Sequence, residues 1–166
     1  TRTVPNPQDT HSDYLLGKLV YRIDARQKLK FSAENLDRRI ATQVYTLFGD
    51  PSYPTTTDVK ARENIQRTLL KADYEYLDGA NPWFQRMNAS LYWQDADNRQ
   101  WGFERRTNTT AWNTRERDTL YGERTAGGSV VFESLVEGAV PQRIVYGLDL
   151  SSAKVHSLKD GANLLK

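Results

Sequence analysis

The spacing of apolar residues changes at Pro82, and no other sequence feature constrains the fold as strongly. Residues 18–24 alternate as in a strand, the apolar residues from Leu36 to Pro82 recur at helical spacing, and after Pro82 the alternation returns. The sequence therefore predicts a strand over 18–24, followed by helices over 33–48 and 59–77. A strand over 40–48 is the alternative to the first helix, because that segment is rich in residues that favour sheet.

The second helix has the clearer pattern of the two. Ile65, Leu69, Ala72 and Tyr76 fall on one helical stripe, and Asp58 is a suitable cap. A helix that buries this stripe needs a sheet or another helix to pack against.

The second half predicts an antiparallel sheet. Residues 84–93 and 100–106 read as the strands of a hairpin about a turn at 95–98, and further strands are expected at 129–133 and 143–148. The fold class expected is α+β: an antiparallel β-sheet or sandwich in the C-terminal half, with two helices from the N-terminal half packed on it.

The length predicts one domain. The chain has 166 residues, no cysteine and a net charge of +2. Residues 1–166 are expected to form a single domain, with 1–13 as a flexible lead-in and 151–166 as a tail or short helix. No stretch has the roughly 18 apolar residues of a membrane helix, so no membrane-spanning segment is expected.

Three segments in the second half carry a resemblance. Residues 91–99 read as a strand running into an acidic turn, and residues 128–133 and 140–146 read as a closing pair of strands. This pattern is similar to the later strands, here 91–148, of telokin-like, immunoglobulin-like sandwich domains of bacterial secreted and lipid-anchored proteins. The resemblance implies an extracytoplasmic binding or accessory module without catalytic residues.

Arginine and aromatic residues cluster around the polar loop expected at 107–118. An aromatic side chain in a long polar loop needs a pocket or a partner, and arginine can stack on rings and pair with anions. The residues expected to bind a partner are Trp101, Arg105, Trp112, Arg115 and Arg117. The opposing reading of the same residues is a solvated sheet face whose charges pair with one another.

No set of residues in the sequence predicts catalysis, a metal site or a cofactor. His11 and His156 lie far apart in the chain, and both are expected to face solvent. Asp95, Asp97 and Asn98 offer oxygen ligands, but they lack the glycine and glutamate of a calcium-binding loop and are typical turn formers.

The function expected is therefore a non-enzymatic module that recognises another protein in the bacterial cell envelope. The expected location is periplasmic or secreted, with lipid anchoring or a cytoplasmic location as the other options. A polyanion is the second partner class considered. A structural component of a virus or phage particle and a hydrolase with carboxylates assembled by the fold are the alternative functions.

Overall fold

Six long antiparallel strands follow one another in the computed structural model, which describes residues 5–48, 51–52, 54–107 and 112–164. Each strand pairs with its neighbours in sequence, so the strand order is also the sheet order. The strands are β1 (Gln8–Arg22), β2 (Gln27–Gln43), β3 (Thr56–Leu77), β4 (Arg86–Arg106), β5 (Thr114–Val136) and β6 (Gln142–Leu164).

Both predicted helices are wrong, and so is the α+β class. Residues 33–43 lie in β2 and residues 59–77 lie in β3, so the described part of the chain is all β. The spacing of four residues that indicated helices also keeps side chains on one face of a strand, because four is an even number. In β3 the helical stripe divides, since Ile65 and Leu69 face one side and Ala72 and Tyr76 the other.

The turn predicted at 95–98 is also wrong. These residues lie inside β4, where Asp95 pairs with Arg124 and Asn98 with Tyr121 across an uninterrupted register. The strand prediction for β5 and β6 is confirmed. The antiparallel pairing over 91–148 is compatible with the immunoglobulin-like arrangement that the resemblance implies.

The two ends of the described chain are regular. Residues 8–13 of the expected lead-in belong to β1, and residues 151–164 of the expected tail belong to β6. Residues 1–4 and 165–166 of those segments, and 108–111 of the expected loop, lie outside the described residues.

The sheet is a single layer without a core. No hydrophobic side chain is buried among the described residues. Because side chains alternate along each strand, the register defines two faces: face A carries Leu19 and Leu91, and face B carries Lys18 and Ser90. The strands β1 and β6 each pair along one edge only. None of the described residues form a helix that could cross a membrane.

Candidate functional site: an apolar band on one face

Face A has an apolar zone at one end of the sheet, beside the connections 23–26, 78–85 and 137–141. We call it the apolar band. It comprises odd positions 15–21 of β1, 29–33 of β2 and 87–93 of β4, and even positions 70–76 of β3, 126–132 of β5 and 144–150 of β6. No charged residue occupies any of these positions.

One row of residues crosses the whole band. The register aligns Leu19, Phe31, Ala72, Leu91, Gly128 and Leu150, one from each strand. Small and large side chains are mixed in this row, and Leu91 leans over Gly128, where a Cβ atom would lie 2.6 Å from its Cδ2. The four members of this row on β1 to β4 line an open trough of about 860 Å³.

Several leucines of the band are highly exposed. The exposed fraction is 72% for Leu15, 68% for Leu91 and 65% for Leu150. Burying one such side chain contributes roughly 1.5–3 kcal/mol. A band of this kind spread over six strands therefore favours strongly an environment that covers it with apolar groups.

An aromatic belt borders the band near the short connections. The ring centroids of Tyr76 and Phe84 lie 5.8 Å apart, those of Phe84 and Phe132 5.0 Å apart, and those of Phe132 and Tyr146 5.4 Å apart. These contacts join β3, the 78–85 connection, β5 and β6. Such pairs stabilise a structure beyond the area that they bury, so the belt ties together strands that do not pair directly.

Beyond the band, face A becomes charged. Arg124 donates to Asp95 at 2.8 Å, and Arg99 makes a close bidentate contact with Asp118. The hydrogen bonds from Arg99 hold the pKa of the Asp118 carboxyl below its ordinary value. This end of face A is therefore suited to water.

Face B carries charged side chains at the level of the band, alongside a few apolar ones such as Val20 and Val145. Near the short connections the Lys28 ammonium lies 2.7 Å from Glu75, and the hydrogen bond between them holds the pKa of Glu75 below its usual range. Further along, Arg67 lies 3.5 Å from Glu34. The two faces at the level of the band thus differ sharply in polarity.

The structure divides the predicted partner-binding residues between the two faces. On face A the Trp101 and Phe103 rings stack with centroids 6.0 Å apart, Arg62 lies over Trp101, and Arg105 lies over Phe103. On face B the guanidinium carbons of Arg106 and Arg115 lie 4.4 and 4.0 Å from the centroid of Trp112. Both groups lie at the end of the sheet opposite the band.

Arg117 is on face B but belongs to neither aromatic group. In the register Gly102 lies beside it on β4 and Gly161 on β6, so no side chain flanks it in its own row.

Sequence reasoning missed the apolar band. The signal was available, because apolar residues alternate over 15–21, 126–132 and 144–150. What was missing was the register, which aligns these short alternating stretches at one level.

The chain matches no protein-family model, and no curated protein is detectably similar to it.

Proposed function

We propose that this sheet is part of a membrane protein of the bacterial cell envelope and that its apolar band lies against lipid acyl chains. The observation that carries the proposal is the absence of charge from the band on all six strands, directly opposite a polar face. Strands in contact with lipid have this alternation of apolar and polar side chains. Lipid also supplies the apolar cover that the exposed leucines favour.

The dimensions of the band support this environment. Strands that cross a bilayer need about 9–11 residues at a tilt of about 45°. On face A the charge-free stretch covers 126–136 in β5 and 142–152 in β6, which are lengths of this order. Charged residues begin at Arg124 and Lys154, where the strands would leave the hydrocarbon.

The aromatic residues support the orientation. Tyrosine and tryptophan favour the boundary between hydrocarbon and headgroups, where the ring is apolar and the polar group is hydrated. Tyr76 and Tyr146 lie in the belt at one border of the band, and Trp93 lies at the other, one face position before Asp95.

The proposal also requires that the edge strands of the sheet be paired. Backbone N–H and C=O groups cannot stay unpaired in hydrocarbon, since each costs several kcal/mol. The free edges of β1 and β6 therefore pair with further strands when the band is in lipid.

Tryptophan quenching by brominated lipids tests the proposal. Two variants of the full chain, each keeping one tryptophan and replacing the other three with phenylalanine, are reconstituted in phosphatidylcholine vesicles brominated on the acyl chains. We expect strong quenching of Trp93, which is in the band, and little quenching of Trp101, which is in the charged zone.

Equal quenching of the two, or none, would contradict the proposal. Absence of quenching together with a stable dimer in detergent-free buffer would instead favour a second sheet packed on the band, as an immunoglobulin-like sandwich requires.

A second candidate function is protein recognition at the opposite end of the sheet. The observation in its favour is the contact of the Trp112 ring with the guanidinium groups of both Arg106 and Arg115. Tryptophan and arginine in rigid positions are the side chains that most often dominate the binding energy of protein interfaces. In a membrane protein this end would project into water.

Replacing Trp112 and Arg115 together by alanine tests this function. Arg106 still pairs with Glu104 at 2.7 Å, so we expect little change in thermal stability but at least a tenfold loss of a crosslinked partner from envelope extracts. The control is Trp83→Ala, which removes a tryptophan that is 80% exposed at the other end of the sheet. A partner retained by the double variant, or lost equally in the control, excludes this end as the interface.

A further inference from the structure

We propose that face B binds a small oxyanion, a carboxylate or a phosphate group, in a groove around Arg117. The groove follows one row of the register, in which Thr42, Ala61, Gly102, Arg117 and Gly161 lie side by side on β2 to β6. Every member of this row except Arg117 is small. The arginine therefore stands in a trough whose floor is the sheet itself.

The Arg117 guanidinium has no acidic partner among the described residues. Its nearest acidic neighbours on face B are occupied: Glu104 binds Arg106, with Nε at 2.7 Å, and Glu63 accepts hydrogen bonds from Asn98 and Gln100. Its chain neighbour Asp118 faces the other side, where it pairs with Arg99. The guanidinium N–H groups of Arg117 are therefore available to a ligand, although many other arginines of this sheet are held in ion pairs.

Two recesses of face B meet at Arg117 and Thr119. One of about 330 Å³ extends over β2, β3 and β4 and has Ile40 and Glu63 in its lining. The other, of about 250 Å³, extends over β6 and has Lys159 in its lining. The joined recesses provide room for a small organic anion.

The donors favour the side of the groove toward β6. The planar guanidinium can donate two parallel hydrogen bonds to a carboxylate or a phosphate. Lys159 adds a second positive charge, and the Thr119 hydroxyl can donate a further bond. Glu63 lies in the other recess and repels an anion there, so the oxyanion is expected between Arg117 and Lys159. Glu116 and Asp160 also border the second recess, but their even positions direct their side chains to face A.

The experiment titrates the full chain with sodium phosphate and, separately, with sodium acetate at constant ionic strength. Binding is followed by NMR through the Gly161 backbone amide. Arg117→Gln removes the charge, and Gly102→Leu fills the groove while keeping Arg117; a Cβ atom added at Gly102 meets no atom within 4 Å. We expect Arg117→Gln to weaken binding at least tenfold, because hydrogen bonds to a charged group are worth about 1.5–3 kcal/mol. We expect Gly102→Leu to weaken binding at least tenfold as well, because its side chain occupies the space of the anion.

Arg38→Gln is the matched control. Arg38 is an exposed arginine of face B without an ion-pair partner among the described residues, but Ile65 rather than a glycine lies beside it on β3. We expect less than a twofold change from it. A response to one anion only identifies that group as the ligand class, and a response to both identifies a general oxyanion site. Equal losses from Arg38→Gln and Arg117→Gln, unchanged binding in Gly102→Leu, or no titration at all would overturn the proposal.

Discussion

Replacing Leu150 by arginine is expected to weaken insertion of the sheet into lipid roughly 10- to 100-fold, because a charge on a lipid-facing surface costs about 2–4 kcal/mol at the middle of the bilayer and about 1 kcal/mol or less near its border, and Leu150 lies between the two. Leu150 lies in the row that crosses all six strands of the apolar band and is 65% exposed in the absence of lipid. Because Leu150 is so exposed, its replacement removes few contacts with the rest of the protein in water. The loss should therefore be measured as vesicle partitioning, with little change in the strand content by circular dichroism.

Ser151→Arg is the control for this change. Ser151 is the next residue of β6, is also exposed, and lies on polar face B. The two variants carry the same added charge on the same edge strand and differ only in the face that receives it. A similar loss of partitioning in both would show that the added charge acts without regard to face, and the assignment of face A to lipid would then be wrong.

The band shows how much of this molecule the sequence could have predicted. In β5 and β6 the residues at 129–133 and 143–148 were sufficient to predict strands, and both segments lie within strands. In β2 and β3 polar residues occupy much of both faces, so the alternation is weak and the spacing of Ile65 and Leu69 fits a helix equally well. Whether such a segment forms a helix or a strand depends on the elements that pair with it, and its own residues do not specify those elements.

The expectation of a core explains the other errors. An α+β domain covers one face of its sheet with helices, and the apolar spacing in 33–48 and 59–77 was interpreted as two such helices. In this sheet apolar side chains such as Leu15 and Leu91 remain exposed, and none of the described hydrophobic residues is buried. A polar mean hydropathy of −0.73 hid the band, because the charged face B and the charged end of face A dominate the average.

For the predicted partner-binding residues, proximity in sequence indicated that they lie at the same end of the molecule, but it did not indicate which face of the sheet each side chain occupies. Trp101, Arg105, Trp112, Arg115 and Arg117 all lie at one end of the sheet. The faces follow from parity within each strand, so Arg105 and Arg115 point to opposite sides although they lie on neighbouring strands. Predicting which face each residue occupies requires the strand boundaries. The turn wrongly predicted at 95–98 divided β4 in two, so those boundaries were wrong.

Replacing Gly147 by valine is expected to destabilise the pairing of β5 with β6 by about 2 kcal/mol, the typical cost of forcing atoms into a closely packed position. A Cβ atom at Gly147 would overlap the carbonyl oxygen of Val130 and lie 3.1 Å from the Val131 Cα atom. Both are backbone atoms, so the collision cannot be relieved by rotating a side chain and a strand has to move. The measurement is the free energy of urea unfolding, together with the hydrogen exchange of β6 amides.

Gly102→Val provides a control with the opposite sign. A Cβ atom there meets nothing within 4 Å, and a β-branched residue favours a strand over glycine by roughly 0.5–1 kcal/mol. We therefore expect Gly102→Val to leave the free energy of unfolding unchanged or to raise it, while Gly147→Val lowers it and accelerates exchange in β6. Equal effects of the two substitutions would mean that β5 and β6 do not approach each other closely at Gly147, and the register that aligns Leu150 with the rest of the band would have to be revised.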